Sequence, residues 1–210
     1  MTTRQTPRIS SRKQPQQARS TELVAAILEA AIQVLAKEGA SRFTTARVAE
    51  KAGVSVGSVY QYFPNKAAIL FRLQRDEWQQ TTQMLRDILD ETEVPALTRL
   101  RTLVHAFIHS ECEEALMRVA LNDAAPLYRD APEAAQVRAA GQRAFEDFML
   151  QLLPDAPPAS RALACELILG TLTCVGKEFS GSPRSAAEIE VYADGMAAMF
   201  CAYVKSLNPP

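Results

Sequence analysis

Apolar residues recur three and four apart along most of this chain, which is the period of an α-helix rather than a strand. Val24, Ile27, Leu28, Ala31 and Leu35 fall on one face of a helix predicted over 21–38, started by Ser20 or Thr21 and ended by Gly39. Val48, Ala49 and Ala52 give a short helix a small apolar face, and Gly53 ends it by accepting the left-handed conformation. Ser55 is placed to cap a second short helix, on which Val59 and Phe63 share a face. A long helix follows from Asn65, its cap, to about Glu91, with Ile69, Leu70, Leu73, Trp78, Met84, Leu85, Ile88 and Leu89 apolar. Leu97, Leu100, Leu103, Val104, Phe107 and Ile108 mark a helix over 95–111, and a short one is predicted over 113–122.

Breaks at Ala124-Ala125-Pro126 and Asp130-Ala131-Pro132 precede a helix over 132–153, with Val137, Ala140, Ala144, Phe145, Phe148, Met149 and Leu152 on its buried side. Two further helices, over 159–179 and 185–205, are separated by Ser180-Gly181-Ser182-Pro183. The first is apolar nearly all round, so it needs cover on more than one side. The second offers Ile189, Tyr192, Met196, Met199, Phe200 and Tyr203. The expected fold is all-α. The surplus apolar surface of these last two helices suits a twofold four-helix interface between copies of the chain, with burial inside one chain as the alternative.

Composition changes this picture at one point. A net charge of −1 by itself argues against nucleic acid, but the charge is unevenly spread. Residues 1–70 hold ten Lys/Arg and four Asp/Glu, a balance of +6, and the remaining 13 basic and 20 acidic residues leave −7. A basic amino-terminal third on an acidic body is the footprint of a DNA-reading head. Residues 1–20 carry five basic residues and no acid, so they are expected to be a disordered basic arm. Such an arm can also track DNA phosphates or enter a minor groove.

The two short helices form a helix-turn-helix, a motif that sets its second helix in the major groove. The face of that helix opposite Val59 and Phe63 shows Gly57, Ser58, Tyr60, Gln61 and Tyr62, with no acid. The ordered set Thr45, Ala52-Gly53-Val54-Ser55, Gly57, Tyr60, Phe63 and Lys66 resembles the DNA-binding domain of TetR/AcrR-family transcriptional regulators. The resemblance covers roughly the first third of the chain. It implies that positions matching Thr45, Ser55, Gly57, Tyr60, Tyr62 and Lys66 touch DNA; the last aromatic is often His in the family, and Tyr62 keeps its hydrogen-bonding tip. With the neighbouring polar groups, the candidate reading set is Thr44, Thr45, Arg47, Ser55, Val56, Gly57, Ser58, Tyr60, Gln61, Tyr62 and Lys66. Thr44 or Thr45 caps the first short helix, and Tyr60 and Tyr62 either contact DNA or pack within the small domain.

The resemblance also implies a head at 21–66, an effector-binding and dimerisation body at 67–210, a palindromic double-stranded operator and a small-molecule effector. Repression relieved by that effector is the expected function. An activator, or an architectural DNA-binding protein without an effector, is the alternative. Candidate effector contacts are Trp78, His105, His109, Met117, Phe145 and Met149, of which Trp78, Phe145 and Met149 serve equally as plain core. His105 and His109 lie four apart with Glu113 one step further, a spacing that can hold a metal or leave two hydrogen-bonded histidines. A metal-dependent enzyme would need a further ligand and a placed base, and no HExxH, phosphate-binding loop or nucleophile elbow appears. No cofactor or metal is expected. Four scattered cysteines without CxxC spacing suit a reduced, cytoplasmic protein, with a thiol sensor as the alternative. No leader is expected, and no run reaches the ~18 apolar residues of a membrane span.

Overall fold

The computed structural model describes residues 9–11 and 18–207. Those residues form helices and connections, without strands, in nearly the order the apolar period predicts. The helices are α1 (Ala18–Arg42), α2 (Thr45–Lys51), α3 (Val56–Tyr62), α4 (Lys66–Leu89), α5 (Ala96–Glu113), α6 (Ala115–Ala124), α7 (Pro132–Leu152), α8 (Pro158–Ser180) and α9 (Ala186–Leu207). A 3-10 turn at Ala125–Leu127 follows α6. Gly39 breaks α1 where expected, with φ 72° and ψ 172°. The expected amino-terminal arm lies mostly outside the described residues. Within it, residues 18–20 already belong to α1, Ile9 is buried, and Ser10 Oγ donates to Glu133 Oε1 at 2.9 Å.

The chain folds as two compact units. One comprises Met1–Glu77 and Leu116–Val137, the other Trp78–Ala115 and Arg138–Pro210. In the first unit α1 packs on α2 and α2 on α3, around the fully buried Ile27, Leu35, Phe43, Val48, Val59, Phe63, Ile69 and Leu70. Each such side chain contributes about 1.5–3 kcal/mol on leaving water. This unit also buries a polar chain of contacts. Arg118 Nη1 pairs with Glu77 Oε1 at 2.7 Å, Gln74 Nε2 donates to Glu77 Oε2 at 2.8 Å, and the Tyr128 hydroxyl lies 3.1 Å from Gln74 Oε1 and 2.9 Å from the Leu121 carbonyl. These contacts tie α4 to α6 and the 3-10 turn, and a buried network is favourable only because its members are satisfied. Burial, with the Glu77 carboxylate second, holds the Tyr128 hydroxyl far above its ordinary pKa.

The second unit is built on α5, which packs against both α8 and α9. Leu100, Leu103, Val104 and Ile108 of α5 meet Phe145, Phe148 and Met149 of α7, Ile168 and Leu172 of α8, and Phe200 and Val204 of α9. Gly176 lets α8 come close to α5: a Cβ there would stand 3.2 Å from Phe107 Cε1 and 3.3 Å from Ile108 Cδ1. Three arginines close helix ends, supplying donors to carbonyls that lack an intrahelical partner. Arg99, nearly buried and over the Phe148 ring, donates to the Leu89 carbonyl at the end of α4 and to Gln151 Oε1. Arg161 Nη1 serves the carbonyls of Leu153, Pro154 and Ala156 after α7. Arg184 Nε donates to the Phe179 carbonyl at the end of α8.

One expectation about α8 needs correction. By length and composition α8 is apolar enough to cross a membrane, and among the described residues it is the one helix that is. Part of this apolar surface has a use inside the unit: Ala164, Cys165, Ile168, Leu172 and Gly176 are buried there. The side chains of Val137 and Ala140, expected on the buried face of α7, lie outside those the structure describes.

Candidate nucleic-acid interface

The reading module is positioned by local chemistry. Thr44, not Thr45, caps α2: its Oγ1 accepts from the Arg47 N–H at 3.3 Å. Gly53, at φ 68°, turns the chain, while the Val54 N–H donates back to the Ala49 carbonyl at 3.0 Å. Ser55 caps α3, its Oγ accepting from the Ser58 N–H at 3.0 Å and lying 2.8 Å from Ser58 Oγ. Asn65 Oδ1 accepts from the Ala68 N–H at 2.9 Å and so caps α4, which begins with the half-buried Lys66.

With Val59 and Phe63 fully buried, α3 is left with Val56, Gly57, Tyr60 and Gln61 exposed and Ser58 and Tyr62 half-buried. Among the described residues beyond its own backbone neighbours, a Cβ added to Gly57 would meet only Ser55 Oγ, at 3.6 Å. No packing among the described residues therefore asks for glycine there. No carboxylate lies on this helix. Two candidate contacts are engaged elsewhere: Thr45 is buried, and Arg47 Nη1 pairs with Glu38 and donates to the Arg42 carbonyl at 3.1 Å.

Phe145 and Met149 are core of the second unit, Trp78 is half-buried on α4, and Met117 is half-buried on α6. His105 and His109 face carboxylates of α9. His105 Nδ1 is 3.3 Å from Glu190 Oε2, its Nε2 is 3.3 Å from Asp194 Oδ1, and His109 Nε2 is 2.9 Å from Glu190 Oε1. They take the hydrogen-bonded alternative, and no group of three potential ligands among the described residues is placed to hold a metal ion. Burial, then Glu111, raises the Cys112 thiol above its usual range, and burial, then Glu146, does the same for Cys165, so neither is primed as a thiolate.

Periodicity alone does not show two surfaces of the second unit. Leu163 and Leu167 of α8 and Val191 and Met199 of α9 are exposed. Val191 and Met199 line a groove of about 780 Å³ whose walls also include Val175, Met196 and the stacked rings of Phe179 and Tyr192, 3.8 Å apart. Among the described residues, nothing outside their own helix turn lies within 4 Å of where a Cβ would stand on Gly170 or Gly195, in the interiors of the same two helices. The other surface is an open groove of about 860 Å³ between α7 and α8.

Residues 27–73 match the model of bacterial regulatory proteins of the tetR family, and residues 95–207 match the tetracyclin repressor-like C-terminal domain. The chain belongs to the TetR family. Like other TetR-family chains, it therefore pairs a DNA-binding helix-turn-helix with a larger helical domain. It is similar to the nucleoid occlusion factor SlmA of Vibrio campbellii, 37% identical over 95 residues, 44% of this chain and 48% of that one. The chain thus spans about half the length of this curated relative. Among solved structures, a TetR-family regulator from Mesorhizobium loti superposes with a TM-score of 0.70 at 20% identity, covering 89% of this chain and 98% of that one. The regulator FadR from Bacillus subtilis, solved with stearoyl-CoA, gives 0.62 at 18% identity, covering 88% and 97%. These two likenesses establish the TetR fold over nearly the whole chain.

Proposed function

We propose that this TetR-family chain is a homodimeric, cytoplasmic repressor that binds a palindromic operator and releases it on binding a small molecule. The observation that carries this reading is the α3 face: exposed, acid-free, hydroxyl-bearing, and holding a glycine that no packing among the described residues requires. Gly57, Ser58, Tyr60, Gln61 and Tyr62 meet the major groove. Ser55 and Lys66 serve phosphates, and Thr44 shapes α2 with its hydroxyl near the backbone. Arg47 and Thr45 support the module from within it. Two such helices related by a twofold axis read half-sites about 34 Å apart.

The dimer forms through the exposed face of α8 and α9, whose two interior glycines allow backbones to approach. The head is assigned to 21–66 and the effector-binding and dimerisation domain to 67–210. Helix α4 continues from one compact unit into the other, so a shift of its second part on effector binding reaches the head. The effector releases DNA only in so far as it binds the off-DNA conformation more tightly.

Selection of bound duplexes from a random pool, with and without a panel of small molecules, tests this. A palindromic consensus whose enrichment one compound abolishes is the expected result; no enrichment at moderate salt counts against it. The similarity to SlmA favours a second reading, a DNA-binding protein with no effector, which predicts enrichment that no compound alters.

A further inference from the structure

We propose that the open groove between α7 and α8 binds an amphipathic organic cation. This rests on the reading of the second unit as the effector-binding domain and names the class of its ligand. The groove's volume, about 860 Å³, lies within the range of small-molecule sites. Its apolar part comes from Met149, Leu150, Pro158 and Leu169, with Leu150 exposed. Cys165, 6% exposed, contributes a thiol that accepts no partner among the described residues.

The charge around that apolar surface is one-sided. Glu146, Asp147 and Glu166 line the groove against a single cation, Arg161. Arg161 is held on the three carbonyls that follow α7 and makes no salt bridge among the described residues. Glu146 has only the neutral Gln142 amide, 2.8 Å away, and Asp147 and Glu166 have no ion pair among the described residues. An apolar body carrying a diffuse positive charge satisfies both parts of the lining. A polyanion such as an acyl-coenzyme A meets three carboxylates instead.

The experiment uses the full chain and two probes of nearly the same shape and opposite charge, tetraphenylphosphonium and tetraphenylborate, by titration calorimetry. Tetraphenylphosphonium is expected to bind and tetraphenylborate not to. The triple variant Glu146→Gln, Asp147→Asn, Glu166→Gln is expected to weaken cation binding about tenfold, with weaker binding at higher salt in the unmodified chain only. Equal binding of the two probes, no binding of the cation, or full binding by the triple variant would overturn the proposal. So would a triple variant that binds the cation normally but changes the sedimentation mass, which would give the groove to a second copy. Binding of an operator duplex is measured in the same samples: if it persists while the cation fails to bind, the ligand class falls and the regulator reading stands.

Discussion

Helices α3 and α8 leave different things exposed. The seven residues of α3 bury one side chain, Val59, with Phe63 buried just beyond them, and present hydroxyls, an amide and a glycine on a helix whose first turn is capped by Ser55. The 23 residues of α8 bury one face on α5 and still leave Leu163 and Leu167 in water. A polar, locally capped face suits a partner recognised by hydrogen bonds and charge, while an apolar face gains only by being covered. Both helices carry a glycine whose Cβ position is sterically open among the described residues, Gly57 and Gly170, and α9 carries a third, Gly195. An interior helical glycine costs roughly 0.5–1 kcal/mol against alanine, so replacing each one tests whether it serves a partner outside the unit that holds it.

The largest effect is expected from Leu167→Glu with Met199→Glu. Burying two charges on the α8–α9 face should shift the protein to monomer and raise the dimer dissociation constant about a hundredfold or more; sedimentation equilibrium reads it, and an unchanged mass would move the interface elsewhere. Gly170→Leu or Gly195→Leu sharpens the point, because the two readouts should move in opposite directions. A chain kept monomeric by the first pair of changes should gain about 0.5–1 kcal/mol in unfolding free energy, while the dimer weakens. A loss of monomer stability would mean the glycine serves its own unit.

On α3, Gly57→Ala makes the same comparison on a polar face. The melting temperature should hold or rise by a degree or more, since the added methyl meets only Ser55 Oγ at van der Waals distance, while operator affinity falls. Raised stability with unchanged affinity would detach Gly57 from DNA. The smallest expected change comes from Tyr60→Phe with Lys66→Ala, which should lower the salt slope of operator binding by about one unit per lost phosphate contact. An intact slope would remove these two side chains from the phosphate set.

What could be read along the chain and what could not divides by distance in sequence. Gly39, Gly53, Ser55 and Asn65 do their work within four residues, so spacing alone identified each break and cap. Arg47 points away from the apolar face of its short helix and so could be read as able to reach DNA, yet its partner is Glu38, on the preceding helix. Thr45 carries the hydroxyl of a cap, but Thr44 does the capping and Thr45 is buried. His105 and His109 were seen as a pair, while the carboxylates that hold them, Glu190 and Asp194, lie some 80 residues later on α9. Neither groove of the second unit has a signature in the periodicity, since each is what remains between helices after packing.

By itself, then, the sequence determined an all-helical chain, its helix ends and the helix-turn-helix. Helical period, glycine conformation and capping hydroxyls are local, and each constrains only a turn of backbone. Tertiary structure decided which polar groups are free and which are paired, and where the apolar surplus of α8 and α9 collects. It also set the open groove between α7 and α8 among three carboxylates. Burial and charge pairing depend on which helices meet, and that is a property of the packed unit rather than of any one segment.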